Sequence, residues 1–191
     1  MYDSAPDPYC YPGTSVLKNR AHIRDQATLD AFEDDTASIR AEEPYPAGRL
    51  SVSHYQAIHH HLFQDVYPWA GRFRTVRISK GGSMFCYPEN IAGEMRRLFG
   101  EMQDRRHFQG LTPEAFAESA AHFLAELNAI HPFREGNGRT QLAYLTMLAE
   151  KAGPPLALDR LDADAIMQAM IASFSGNEAP LAQLIRALLQ S

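Results

Sequence analysis

Apolar side chains recur along most of this chain at helical spacing. In "ENIAGEMRRLFGEMQ", Ile91, Met95, Leu98, Phe99 and Met102 fall at i, i+4, i+7, i+8 and i+11, one buried helix face. The same spacing runs through 15–43 and through "VSHYQAIHHHLF" after a Ser51 cap. Thr112-Pro113-Glu114 starts another helix: a hydroxyl cap, a proline where its missing N–H does no harm, and an acid at the positive end of the dipole. That helix buries Phe116, Ala120, Phe123, Leu124 and Leu127. A further helix follows residue 136 and ends at Gly153-Pro154-Pro155, Asp162 caps the next, and Pro180 opens a last one reaching Leu189. Only 72–88, "RFRTVRISKGGSMFCYP", alternates like strand, around a Gly81-Gly82 turn signal, and predicts a short hairpin. Residues 1–14, rich in proline and turn formers, predict an arm laid over the domain. The fold class is all-α, in one domain over 1–191 with neither repeat nor linker.

Composition narrows the class. Hydrophobic residues make up 45% and charged residues 21% of 191, which excludes a disordered chain. A net charge of −5 provides no global field for nucleic acid or an anionic membrane, so any anion must be bound locally. No apolar run is long enough for a membrane span and no secretory leader is evident, so a cytoplasmic location is expected. Cys10 and Cys86 have neither metal nor disulfide spacing and predict small packed side chains.

The chemistry concentrates in "HPFREGNGR", residues 131–139, a turn between two apolar helices. With a helix starting near Asn137, the N–H groups around Gly136, Asn137, Gly138 and Arg139 are first-turn donors, an anion site by geometry and dipole. Glycines admit a phosphate, the Asn137 amide adds a donor, and Arg139 adds a planar fork suited to a diphosphate. Glu135 repels phosphate unless a divalent cation lies between, so it is the expected Mg²⁺ ligand. His131 is the nearby side chain able to take a proton near neutrality. With no nucleophile arranged beside it, it is expected to activate an incoming hydroxyl for phosphoryl or nucleotidyl transfer.

Residues 131–139 resemble the motif HxFx[DE]GNGRxxR of the Fic nucleotidyl transferases, departing from it where the second arginine falls on Leu142. "LFQDVYPWAGRFR" is similar to the segment entering that family's flap hairpin, "SMFCYPENI" to its return, and "DPYCYPGTSVLKN" to the arm of bacterial Fic toxins that work with a small antitoxin. The resemblance implies transfer of AMP from ATP to a hydroxyl of a target protein, with Mg²⁺. His131 would be the base, Phe133 a core anchor, Glu135 the metal ligand, and Gly136, Asn137, Gly138 and Arg139 the phosphate cradle. The target segment would pair with the flap at 77–86. The inhibitory pattern [ST]xxxE[GN] is absent from 1–191, so an antitoxin supplying the glutamate in trans is implied.

Two alternatives stay open. One is a Doc-like transferase with another phosphate donor, which Gly138 opposes because those relatives carry lysine there. The other is a weakened nucleotide-binding interaction module, suggested by Leu142. Arg134 is expected to face solvent. For Lys80 and Phe85, a role in packing the hairpin stands level with a role at the site. His59-His60-His61 cannot all face one ion, since neighbours on a helix point about 100° apart, and are expected to be structural, as are His54 and His122.

Overall fold

The computed structural model describes residues 7–80, 83–153 and 155–190. Residues 1–6 of the arm, the Gly81-Gly82 turn, Pro154 and the Lys80 side chain therefore lie outside the described residues. Seven α-helices are formed among those described: α1 (Gln26–Glu42), α2 (Val52–Phe63), α3 (Pro88–Asp104), α4 (Pro113–Ile130), α5 (Asn137–Ala152), α6 (Ala163–Phe174) and α7 (Ala179–Leu188). Three of the caps are those the sequence predicts. Ser51 accepts from His54 N, Thr112 from Ala115 N, and Asp162 from Asp164 N and Ala165 N.

Helix α4 is the centre of the bundle, packing on α3, α5, α6 and α7. Its Phe116, Ala120, Phe123, Leu124 and Leu127 are all buried. Tyr55 (α2), Phe99 (α3), Phe123 (α4) and Tyr144 (α5) meet in edge-to-face and stacked pairs with centroids 5.3–5.7 Å apart. Such pairs fix the relative rotation of four helices as well as burying area. The buried Tyr144 hydroxyl donates to Leu50 O at 2.6 Å.

The first helix is shorter than the 15–43 spacing predicts, beginning only at Gln26. Asn19 is the reason. Its side chain donates to Leu17 O and Ile23 O and accepts from Ile23 N, offering the backbone a turn in place of a helix. Asp25 then caps α1 through Thr28 N. The arm folds on itself, with Tyr11 N bonded to Val16 O and Lys18 N to Tyr9 O, and Tyr9 packs edge-on against Trp69 at 5.5 Å.

Between α2 and α3, strands β1 (Ser79–Lys80) and β2 (Ser83–Met84) pair antiparallel with Ser79 opposite Met84. This ladder is much shorter than the alternation over 72–88 predicts. Near its two ends the segment is tied to the end of α4: Arg74 N bonds Pro132 O and Cys86 N bonds Ala129 O.

Candidate active site

His131 ends α4. Pro132 disfavours helical backbone at the residue before it, and His131 turns into the left-handed region (φ 46°, ψ 63°) with its N–H on Leu127 O. That conformation costs a non-glycine residue roughly 1–2 kcal/mol, and the surroundings hold it there. Arg74, buried, donates through Nε to His131 O at 2.8 Å and through its terminal nitrogens to Ile130 O, Val76 O and Cys86 O. Among the described residues this buried guanidinium meets no carboxylate, and its acceptors include the last carbonyls of α4, the negative end of the helix dipole. From the other side the Phe85 ring lies stacked on the His131 ring.

The turn after His131 is pinned from within. The buried Asn137 side chain accepts from Phe133 N and donates to Phe133 O, at 3.0 and 2.9 Å. The amide oxygen and one of the two Nδ2 N–H donors are thus engaged in holding the turn. Phe133 is fully buried, stacked on His59 at 3.7 Å and Tyr55 at 5.5 Å, as a core anchor should be. His59 Nδ1 accepts from Gly71 N, so Nε2 carries the proton and donates to Glu135 O at 2.9 Å. Burial pushes this imidazole down to about 3, keeping it neutral. His60 and His61 bond Ala70 O and Arg40 O, so the three histidines serve three carbonyls. His54 accepts from Leu50 N and bonds Pro46 O, a packed structural role, whereas His122 is half exposed beside Glu178 rather than packed.

Gly136 precedes α5 at φ 78°, where a Cβ would lie 2.4 Å from the Phe63 ring, so no other residue fits. Its N–H is bonded to the exposed Glu135 carboxylate at 2.9 Å. A Cβ on Gly138 would meet nothing within 4 Å, which leaves the start of α5 open to a ligand. Arg139 is engaged with α1. It donates to Glu33 and, at 3.1 Å, to Asp34, both on α1, and lies 4.7 Å from the Phe63 ring centre. Glu33 also accepts from the Tyr67 hydroxyl. Burial pushes the Glu33 carboxyl up, with Arg139 pulling against it. Arg134 is a correction: it is mostly covered and bonds Asp7 of the arm at 2.9 Å, tying the arm to the turn. Leu142 is half-buried and lines, with Arg139, an open groove of about 590 Å³ between α1 and α5.

Residues 49–149 match the Fic/DOC family. The chain belongs to the Fic/DOC family. It is 53% identical to a probable protein adenylyltransferase, y4lH of Sinorhizobium fredii, over 98% of each chain. It is 37% identical to the protein adenylyltransferase VbhT of Bartonella schoenbuchensis, over 97% of this chain and 39% of that one. Among solved structures, the BepC protein of Bartonella tribocorum with bound AMPPNP superposes with a TM-score of 0.85 at 26% identity, covering 95% of this chain and 96% of that one.

Within this Fic domain, sequence reasoning missed Glu33, Arg74 and Tyr67. Glu33 left a trace: it falls at i+4 between Leu29 and Ala37 on the buried face of α1, where an acid needs a partner. Arg74 left none, since nothing local separates it from Arg72 or Arg77. Among the described residues no three or more His, Cys, Asp or Glu are grouped to hold a metal, and no helix is long and apolar enough to cross a membrane.

Proposed function

We propose that this chain transfers AMP from ATP to a hydroxyl side chain of a target protein, as the toxin of a toxin–antitoxin pair. The observation that carries the reading is the placement of two parts by one pinned turn: an imidazole locked at the end of α4 and, six residues on, the open first turn of α5. The relatives named protein adenylyltransferase and the neighbour solved with AMPPNP support it.

His131 takes the proton of the target hydroxyl as its oxygen attacks the α-phosphorus. The bond from that phosphorus to the β-phosphate oxygen breaks, and pyrophosphate leaves. The first-turn N–H groups of Asn137, Gly138 and Arg139 hold phosphate oxygens, and the Arg139 guanidinium adds charge. Glu135 fits a Mg²⁺ ligand: its carboxylate is exposed at the turn, one oxygen rests on Gly136 N, and one carboxylate with phosphate oxygens and water is a usual Mg²⁺ set. Mg²⁺ there would neutralise phosphate charge. The target segment docks along 77–86, whose β2 leads directly into the Phe85 that covers His131. The groove beside Arg139, lined by Ala37, Ala41, Tyr45, Leu142 and Met147, suits a helix of a small antitoxin.

The test is incubation with an extract and ATP labelled at the α- or γ-phosphate. Protein label from the α-position alone is expected, with none for His131→Ala. Label from the γ-position means a kinase, and none from either means a binding module. Expression without an antitoxin should slow bacterial growth, and His131→Ala should relieve it.

A further inference from the structure

We infer that Glu33 is a positioning residue for the nucleotide donor, aiming Arg139 from α1, and that Asp34 occupies the place a phosphate oxygen takes on the same guanidinium. The inference rests on the reading of this site as an ATP site. Arg139 is the third residue of α5, and its terminal nitrogens go to two adjacent acids in very different settings. The Glu33 side chain is 9% exposed and that of Asp34 is 76% exposed.

That asymmetry decides which acid yields. Glu33 is held at its second oxygen by the Tyr67 hydroxyl, and Tyr67 is itself stacked on Trp69 with centroids 4.3 Å apart. Taking Arg139 from Glu33 would leave an ionised carboxylate buried without its cation, whereas Asp34 returns to water. An arriving phosphate therefore displaces Asp34 and leaves Glu33 bonded. Because a guanidinium has five N–H donors in a rigid fork, it can keep Glu33 on one edge and offer the rest. Phe63, whose ring faces Gly136 as well as Arg139, holds the fork against the turn. Glu33 and Tyr67 thus preorganise the cation, and Asp34 competes for it.

The experiment is calorimetric titration of the whole chain with Mg-ATP for the parent, Asp34→Asn and Glu33→Gln, with thermal unfolding alongside. Asp34→Asn is expected to bind about threefold tighter, the size of an exposed ion pair removed, and the gain should vanish in an Arg139→Gln background. Glu33→Gln is expected to bind about tenfold weaker, with KM for ATP rising and kcat little changed. If Glu33→Gln does not fold, Tyr67→Phe keeps the ring and should weaken binding about threefold. Asp34→Asn binding no tighter than the parent, or Glu33→Gln losing stability while binding as well as the parent or better, overturns the inference and leaves the ATP reading standing. Failure of the folded parent and of Asp34→Asn to bind ATP at all removes both.

Discussion

The Phe85 ring lies over the His131 ring with centroids 4.0 Å apart and planes within 19° of parallel, and Phe174 of α6 meets Phe85 edge-on at 5.5 Å. The residue that leaves β2 therefore also fixes the orientation of the proposed base. Phe85→Leu keeps most of the apolar bulk and removes the flat face. It should lower kcat about tenfold with KM for ATP unchanged, because Phe85 touches the imidazole and not the start of α5. Steady-state transfer at varied ATP separates the two parameters, and a raised KM at constant kcat would contradict this role.

Arg74 joins four carbonyls from three segments, so its loss leaves several buried acceptors without donors. Arg74→Met, similar in reach and apolar, should destabilise the fold by about 3 kcal/mol or more. The damage should centre on the hairpin. Urea unfolding measures the first effect, and hydrogen exchange at the Phe85 and Cys86 N–H groups the second. A variant as stable as the parent would show that water replaces the guanidinium.

Three helices were legible twice over, by apolar spacing and by a cap: Ser51, Thr112 and Asp162 all stand where a side-chain oxygen meets free N–H groups. The 131–139 turn was legible because it packs the chemistry into consecutive residues. Contacts between distant segments were not. Asn137 carries no local sign that it also pins Phe133, and Arg139 looks free until α1 is placed 105 residues away in sequence. Arg74 was hidden because its acceptors are backbone carbonyls, which carry no residue type for a sequence to reveal.

The neutral, buried His59 sets a pH dependence of stability. Its folded value, about 3, lies below its unfolded value near 6.5, so on acidification the unfolded chain takes up a proton that the folded chain refuses. The stabilisation from keeping His59 neutral is present above pH ~6.5 and lost as pH falls towards ~3, at about 1.4 kcal/mol per unit. Glu33 acts in the opposite sense, its raised folded value favouring proton uptake by the native state in acid. His59→Gln, which can still accept from Gly71 N and donate to Glu135 O, isolates the first effect. Between about pH 5.5 and 4.5 the parent should lose about 1.4 kcal/mol more than this variant in urea unfolding. Equal losses would mean that His59 becomes protonated in the folded state.

Leu142 stands where the family motif has its second arginine, one helical turn beyond Arg139 and on the same groove. In that groove the one cation at the start of α5, Arg139, already carries Glu33 and Asp34, so a γ-phosphate arriving there meets an apolar side chain and a shared guanidinium. A charge-assisted contact contributes about 1.5–3 kcal/mol, so its absence corresponds to about ten- to a hundredfold in binding or turnover. Leu145 and Ala149 of the same helix are buried, but Leu142 is only half-buried, so an arginine can lay its stem along the groove and keep its head at the phosphates. Leu142→Arg should therefore raise AMP transfer from ATP by about tenfold or more with the folded state intact. Affinity for ADP, which has no γ-phosphate, should change little, so the ratio of ATP to ADP affinity is the measurement that identifies the contact. Equal gains for ATP and ADP would place the new guanidinium on the β-phosphate, and an unchanged rate in a well-folded variant would mean that the γ-phosphate is held elsewhere or that the donor is not ATP.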